Sequence, residues 1–259
     1  MVNIVVGGAT GKLGKLVCDL IVDSDDLKLT GAIVSKDGGN VGKELYPDIM
    51  AVTSDSLRSV LKDADIYVDL TTPAAASKII GSVPETGTNL ILGTTAVDAT
   101  VIEQMTKNVE RYDTSALVAA NFAMGVNVFW KMCEILAASL PNYDIELVEA
   151  HHNMKKDAPS GTAMETLRRL QNASGIQTTV YGREGITGPR GREIGVHSIR
   201  AGDIVGDHTV MVAGNMERIE LTHRAISRET FARGCIQSIR WMSGKKDGKV
   251  HNMYEVFGL

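Results

Sequence analysis

The stretch VEAHHNMKKDAPSGTA, residues 148–163, places two histidines and two lysines directly before a turn of small residues. The alternation of IELVEA predicts a strand that ends at His151 and His152, with their side chains on opposite sides. Lys155 follows in the loop. Because these side chains carry protons and offset negative charge, the stretch is a candidate for acid–base chemistry on an anionic substrate.

Ser160, Gly161 and Thr162 predict the start of a helix, with a capping hydroxyl and backbone amides open to a ligand. Such a turn suits a carboxylate. A metal site at the paired histidines is the poorer interpretation, because adjacent strand residues diverge and no third ligand has a useful spacing. Two purely structural histidines would explain the pair alone but not the whole stretch.

A second candidate site is GATGKLG, which follows the strand NIVVGG and opens a helical pattern near the N-terminus. Its glycines permit a tight turn and a close backbone approach, and the helix N-terminus offers N–H groups to a pyrophosphate. Ordinary strand–helix turns share the pattern, but its place in an alternating α/β region favours a dinucleotide. The residues assigned to the cofactor are Gly8, Ala9, Thr10, Gly11, Lys12 and Leu13.

The choice of cofactor depends on the end of the second strand, about 20 residues beyond the glycines, where NAD-binding proteins place a carboxylate for the ribose. Ser35 and Lys36 occupy this place, with Asp37 one step later. A hydroxyl and a cation suit a 2′-phosphate, which predicts NADPH as the preferred cofactor and leaves NADH as a possible second one. In the alternative, Lys36 points to solvent and Asp37 holds the ribose.

The order of apolar patterns indicates the scaffold. Up to residue 122, β-branched strands alternate with helical segments, which predicts a Rossmann-type doubly wound parallel sheet with both faces covered. A long helix, the strand IELVEA and glycine-punctuated strands at 180–223 follow, and these strands indicate an antiparallel sheet. We therefore expect an α/β dinucleotide-binding domain at 1–122 and a mixed α/β substrate-binding domain at 123–229.

Composition narrows the function classes. The 259 residues carry a net charge of −4, which gives no electrostatic footprint for nucleic acid or an anionic membrane. The N-terminus lacks the pattern of a signal peptide, and no segment has the apolar length of a membrane span. Three cysteines without a CxxC pair fit a reducing compartment. We expect a soluble cytoplasmic protein that binds a small molecule.

In its motifs the chain resembles the 4-hydroxy-tetrahydrodipicolinate reductases, also called dihydrodipicolinate reductases, of lysine biosynthesis. The resemblance spans nearly the whole chain and is carried by EAHHNMKKDAPSGTA, GATGKLG, GTT at 93–95, AANFAMGVNV at 119–128, IRAGDIVGDHTV at 199–210 and ELTHRAISRETFARG at 220–234. It implies an NAD(P)H-dependent oxidoreductase that reduces a cyclic dicarboxylate imine to tetrahydrodipicolinate, on the path to diaminopimelate and lysine.

The resemblance also implies roles for single residues. His151 corresponds to a histidine proposed as proton donor and acceptor, and Lys155 to a proton-donating lysine. His152 and the turn at 160–162 correspond to contacts with a substrate carboxylate. The implied cofactor contacts are the glycine turn, the basic residue Lys36 and two segments along the nicotinamide, namely Gly93, Thr94 and Thr95, and Ala119, Ala120, Asn121 and Phe122.

Departures from the family pattern bear on the cofactor. Lys12 and Leu13 stand where Arg-Met is frequent, and Ala96 stands where a glycine often follows Gly-Thr-Thr. Ser35 replaces an acidic residue that many members use on the adenosine ribose, which puts efficient use of NADH in doubt.

The resemblance finally implies an assembly. Residues 230–259 are expected to return to the first domain, with the active site in the cleft between the domains. A homotetramer is expected to form through 123–229, where the alternating strands at 180–223 leave one face in need of cover.

Two other classes of function fit part of the sequence. A nucleotide-sensing regulator would keep the glycine turn but lose His151 and Lys155, and both are present. Another two-domain reductase, such as an amino-acid dehydrogenase, would share the glycine turn but not HHNMKKDAPSGTA. The resemblance to the reductase family is therefore preferred, and no metal is expected.

Overall fold

The protein, described here by a computed structural model of all 259 residues, forms two compact units. Unit 1 contains Met1–Ala123 and Glu229–Gly258, and unit 2 contains Met124–Arg228 with the terminal Leu259. None of the helices combines the length and the apolar character that a membrane crossing requires. The glycine turn thus belongs to unit 1 and the two-histidine stretch to unit 2.

The first 123 residues alternate between strands and helices. The strands are β1 (Val2–Gly7), β2 (Leu27–Ile33), β3 (Glu44–Tyr46), β4 (Ile49–Val52), β5 (Ile66–Asp69), β6 (Asn89–Leu92) and β7 (Ala116–Val118). The helices are α1 (Lys12–Val22), α2 (Leu57–Val60), α3 (Pro73–Ile79) and α4 (Ala99–Arg111).

Unit 2 has two helices and five strands. In chain order they are α5 (Met124–Ser139), β8 (Asp144–His151), α6 (Gly161–Ser174), β9 (Thr179–Tyr181), β10 (Ile194–Arg200), β11 (Gly206–Gly214) and β12 (Glu217–Ala225). The chain then returns to unit 1 with three elements, which are α7 (Glu229–Met242), β13 (Val250–Asn252) and α8 (Met253–Phe257).

The strands of unit 1 form one sheet in the order β13-β7-β6-β5-β1-β2-β4-β3, parallel except for the β3–β4 hairpin. Its central strands are apolar throughout because both faces are covered. Along β1, Ile4 and Val6 lie in one buried cluster and Val5 lies in the other. This doubly wound sheet confirms the predicted fold class, and its carboxyl edge is where such sheets bind ligands.

The sheet of unit 2 has the order β12-β11-β8-β10-β9. The expectation of an antiparallel sheet at 180–223 was wrong in part, because β10 pairs parallel with both β8 and β9 while β11 runs antiparallel to β8 and β12. The connection from β8 through α6 is a crossover that restores the strand direction. A tight turn joins β11 to β12, where Asn215 and Met216 both adopt positive φ.

Helices cover one face of this sheet. Along β8, Ile145, Leu147, Glu149 and His151 are buried, whereas the alternate residues are only partly buried or exposed. Contacts of α5 with β11 and β12, and of α6 with β8 and β10, account for the buried face. His151 therefore lies on the helix-covered side of the sheet, where both α5 and α6 pack, and the opposite face is free of these helices.

Candidate active site

Strand β8 brings Glu149 and His151 to the same buried face because they are two residues apart. Glu149 is fully buried, and its Oε2 lies 2.5 Å from Nδ1 of His151. In the neutral tautomer that this contact favours, Nδ1–H donates to the carboxylate and Nε2 keeps its lone pair. A strand end thus presents one histidine nitrogen for proton exchange and anchors the other.

Arg200, at the end of β10, holds the Glu149 carboxylate on both oxygens. Its Nη1 donates to Oε2 at 3.0 Å and its Nη2 donates to Oε1 at 2.8 Å. Burial by itself raises the pKa of Glu149, but hydrogen bonds from Arg200, Ser198 and His151 outweigh it and hold the pKa at about 2. The carboxylate is therefore ionised at neutral pH.

Burial lowers the pKa of His151 from its ordinary value, which favours the neutral imidazole. The Glu149 carboxylate opposes this shift, and the positive charges of Lys155 and Arg200 add to it. Gly206 at the start of β11 stands beside the ring, where a Cβ would lie 3.0 Å from Nε2. The glycine keeps the space next to the acceptor nitrogen free of side-chain atoms.

Lys155 lies in the loop after β8 with its ammonium 2.9 Å from Oδ1 of Asp157. Its side chain is mostly buried, whereas that of Asp157 is mostly exposed. Its positive charge contributes to the lowered pKa of His151, so the two predicted proton carriers lie within electrostatic range of each other. His152, next to His151, is partly buried.

Ser160 caps α6. Its Oγ accepts from the amide of Ala163 at 3.2 Å, and its own amide donates to Oε1 of Glu149 at 3.3 Å. Gly161 and Thr162 form the first helical turn, where amides have no intrahelical acceptor and the helix dipole favours an anion. The cap therefore ties the predicted carboxylate-binding turn to the Glu149 carboxylate.

His208 on β11 adds a second buried imidazole. Its ring meets that of His151 edge-on with centroids 5.3 Å apart, and its Nε2 lies 3.2 Å from Oγ of Ser160. Burial lowers its pKa to about 3, which keeps it neutral. Sequence reasoning missed Glu149, Arg200, Gly206 and His208. Glu149 carried a signal because it shares the strand face of His151, and the other three lie in the motif IRAGDIVGDHTV, which carried the family resemblance.

The glycine turn of unit 1 depends on the absence of side chains. Gly8 has φ +77, and a Cβ there would collide with the carbonyl oxygen of Leu70. A Cβ at Gly14 would collide with the carbonyl oxygen of Gly8, so the helix packs closely on the turn. No side chain caps α1 at Gly11. Residues 8–13 therefore fit a pyrophosphate at a helix N-terminus.

At the end of β2 the structure shows a contact with Asp55, a residue that the sequence did not suggest. Nζ of Lys36 lies 2.6 Å from Oδ2 of Asp55, and both side chains are exposed. Oγ of Ser35 accepts from the amide of Asp37 at 3.4 Å. Exposed ion pairs contribute only about 0–1 kcal/mol, so Lys36 can exchange Asp55 for a phosphate at little cost.

The two segments expected along the nicotinamide meet inside unit 1. The Phe122 ring and the Leu70 side chain lie where a Cβ of Gly93 would be, and the amide of Ala119 donates to the carbonyl of Leu92 at 2.9 Å. Oγ1 of Thr94 donates to Oδ1 of the buried Asp69 at 2.5 Å. The loops after β6 and β7 are thus packed together at the carboxyl edge of the sheet.

Substitutions of Glu149 and Lys155 should shift the pKa of His151 in opposite directions, which tests the placement of both side chains near the imidazole. Glu149→Gln should lower the pKa of His151, because the carboxylate that favours the imidazolium is lost. Lys155→Met should raise it, because a nearby positive charge is lost. Titration of the His151 Cε1–H resonance by NMR measures both. Glu165→Gln, which alters an arginine-paired carboxylate on α6, is the control and should change nothing. Equal shifts in both variants would contradict the assignment.

Comparison with known proteins covers both units. The family model described as "Dihydrodipicolinate reductase, N-terminus" matches residues 2–122, and "Dihydrodipicolinate reductase, C-terminus" matches residues 125–257. The 4-hydroxy-tetrahydrodipicolinate reductase of Methanococcus aeolicus is 39% identical over 277 residues, covering 100% of this chain and 99% of that protein. The one of Methanocaldococcus jannaschii is 41% identical over 270 residues, covering 100% and 98%.

Solved structures agree with this assignment. A dipicolinate-bound dihydrodipicolinate reductase from Paenisporosarcina sp. TG-14 superposes with a TM-score of 0.81 at 25% identity, over 98% of each chain. GenD2 from gentamicin A biosynthesis, in complex with NAD, has a TM-score of 0.62 at 14% identity over 93% of this chain and 85% of its own, which shows a shared fold. Matched in both units and about 40% identical to curated relatives along its length, the chain belongs to the dihydrodipicolinate reductase family.

Proposed function

We propose that the protein is an NAD(P)H-dependent 4-hydroxy-tetrahydrodipicolinate reductase, which reduces a cyclic dicarboxylate imine to tetrahydrodipicolinate for diaminopimelate and lysine synthesis. The observation that carries the proposal is the buried Glu149–His151 pair, with Lys155 beside it and the α6 N-terminus tied to the same carboxylate. Family membership over both units supports the reaction class.

Substrate binding rests on the α6 N-terminus. The amides at Gly161 and Thr162 and the helix dipole attract one substrate carboxylate, and His152 is proposed to contribute a further contact. Lys155 offsets negative charge next to this site. Because Ser160 uses its hydroxyl to cap the helix, its part in binding is to hold the turn in place.

Proton transfer falls to His151 and Lys155. A nicotinamide cofactor, when bound, would supply the hydride. Hydride addition leaves enamine-like charge on the substrate, and the Lys155 ammonium is the group that donates a proton to it. His151 takes up a proton from solvent at Nε2 and passes it to the Lys155 amine, which restores the ammonium, while Glu149 stabilises the transient imidazolium through Nδ1–H. Arg200 keeps Glu149 in place and ionised throughout.

The cofactor is proposed to bind unit 1, with the phosphates on the turn at 8–13 and the nicotinamide along 93–95 and 119–122. NADPH is the proposed preference, because Ser35 brings no carboxylate to the ribose and Lys36 can pair with a 2′-phosphate. Its present partner Asp55 is an exposed competitor for that phosphate. NADH remains the second cofactor.

We further propose a homotetramer formed through the helix-free face of the unit 2 sheet. This face carries Val148 and Ala150 of β8, Met211 of β11 and Ile199 of β10, and Ile199 is the register partner of Ala150. Ile199 is 47% exposed in the single chain. Apolar side chains on a helix-free sheet face favour association with other copies.

A cytoplasmic location is proposed for the enzyme. The three cysteines, Cys18, Cys133 and Cys235, are free and buried. They fit a reducing compartment, as the sequence indicated.

The activity is tested by steady-state reduction of freshly made substrate, with Lys155→Ala as the decisive variant. Loss of the proton donor should lower kcat by roughly 10²–10⁴-fold and leave the Kd of NADPH unchanged. Lys156→Ala, the exposed neighbour, is the matched control and should retain wild-type turnover. Wild-type turnover in Lys155→Ala would rule out Lys155 as the donor, and an inactive wild-type enzyme would overturn the proposed function.

Cofactor choice is tested by Ser35→Glu combined with Lys36→Ala, which adds a carboxylate for the ribose and removes the cation. One or two charge-assisted hydrogen bonds of roughly 1.5–3 kcal/mol each give a preference of about tenfold or more. The wild type should have the higher kcat/KM with NADPH, and the double variant should prefer NADH. Lys43→Ala, another exposed lysine of unit 1, should keep the wild-type ratio. If the wild type prefers NADH and the double substitution does not change this preference, the roles proposed for Ser35 and Lys36 are wrong.

Assembly is tested by Ile199→Glu, which places a charge on the helix-free face. Light scattering at micromolar concentration should report a tetramer for the wild type and smaller species for the variant, since burying an unpaired charge is costly. Met50→Glu is the control, because Met50 is 50% exposed but belongs to unit 1. A monomeric wild type would contradict the proposal.

A further inference from the structure

Asp69, the last residue of β5, is a fully buried carboxylate outside the residues assigned so far. It takes part in no ion pair, and its hydrogen-bond donors are hydroxyls and one amide. Oδ2 accepts from the Tyr67 hydroxyl at 3.0 Å. Oδ1 accepts from the hydroxyl of Thr71 at 2.8 Å, its amide at 3.2 Å and the hydroxyl of Thr94 at 2.5 Å.

A buried carboxylate at a strand end lowers the stability of the fold. Removing a carboxylate from water is unfavourable, and neutral donors offset this less fully than a cation does. Leu92, the register partner of Asp69 on β6, shows that an apolar residue fits the same level of the sheet. A buried charge at this place therefore has a use other than stability.

The role of Asp69 follows from the residues that it links. Its register partners are Gly7, which leads into the glycine turn, and Leu92, which leads into the loop at 93–95. The Tyr67 hydroxyl lies against Gly7, where a Cβ would collide with it. Burial raises the pKa of Tyr67, so the hydroxyl stays protonated and remains a donor. Asp69 thus bonds directly to Thr94 and to the Tyr67 hydroxyl, which packs against Gly7 at the edge of the glycine turn.

A strained residue stands directly after the loop that Asp69 holds. Ala96 has φ +57, in the left-handed region that residues with a Cβ rarely adopt. The surrounding contacts must impose this conformation. Asp69 supplies one of them two residues away, by fixing the Thr94 side chain.

We propose that Asp69 is a positioning residue for the nicotinamide half of the cofactor. It holds the loop at 93–95 in its binding conformation, so that the backbone of this loop faces the nicotinamide while the Thr94 hydroxyl points inward to the carboxylate. The proposal rests on the proposed function for the place of the nicotinamide.

The test compares whole cofactors with fragments that lack the nicotinamide. Asp69→Asn keeps the shape but replaces one acceptor with an amino donor, which faces other donors. By calorimetry, its Kd for NADPH should rise at least tenfold and its Kd for 2′,5′-ADP should stay within twofold. NADH and ADP form the second pair. Thr94→Val should give the same split, and the double variant should lose no more than either single one.

Asp65→Asn is the matched control, because Asp65 precedes the same strand at its other end and accepts from the amide of Asn3 at 2.7 Å. It should leave all four affinities unchanged. Equal losses for NADPH and 2′,5′-ADP in Asp69→Asn and in Thr94→Val, or no loss in Thr94→Val, would overturn the proposal. Should Asp69→Asn not fold, Thr94→Val decides alone.

The two proposals fail in different ways. An enzyme that reduces the substrate but shows no fragment split refutes only the role of Asp69. If the wild-type chain binds NADPH but does not reduce the substrate, and the variants show the split, only the proposed function is refuted. A wild-type chain that binds neither nicotinamide cofactor refutes both.

Discussion

The ionised carboxylate of Glu149 is the interaction on which unit 2 depends. A buried carboxylate without a cationic partner would be strongly destabilising, and Arg200 offsets this with two hydrogen bonds. The same carboxylate orients His151 and accepts from the amide of Ser160, which caps α6. One charge therefore sets the tautomer of the proposed proton carrier and the position of the proposed anion-binding turn. Arg200 also fixes the loop between them through the carbonyl of Asp157, at 2.6 Å.

The buried carboxylate of unit 1 has a different environment and therefore a different use. Glu149 has a cation, so its charge can tune the pKa of His151 while remaining stable. Asp69 has only neutral donors, so it has no cationic partner to anchor. Its hydrogen bonds with the loops after β5 and β6 hold the backbones of these two loops in fixed positions. A carboxylate that must position a loop needs several short-range donors, and a carboxylate that must act on a titrating group needs a defined charge.

The sequence predicted the parts of both sites that are local along the chain. The glycine turn and the stretch from His151 to Thr162 are each contained in one strand–turn–helix connection, where residue type and spacing determine geometry. Arg200 lies 51 residues from Glu149, and their contact depends on the pairing of β10 with β8. Asp55 likewise meets Lys36 across two strands. Alternation shows which face a strand buries, but it is the same for parallel and antiparallel neighbours, so β10 was assigned the wrong direction.

That direction is what assembles the site. Because β10 runs parallel to β8, Arg200 is level with His151, whereas an antiparallel β10 would carry its arginine to the other end of the strand, near Asp144. Because β11 runs antiparallel to β8, its first residues, from Gly206 to His208, meet the last residues of β8. Strand β10 thus brings the Arg200 cation to the end of β8, and β11 brings the open space at Gly206 and the neutral imidazole of His208 from the other side. A mixed sheet meets both requirements, and a sheet with one strand direction throughout would lose one of them.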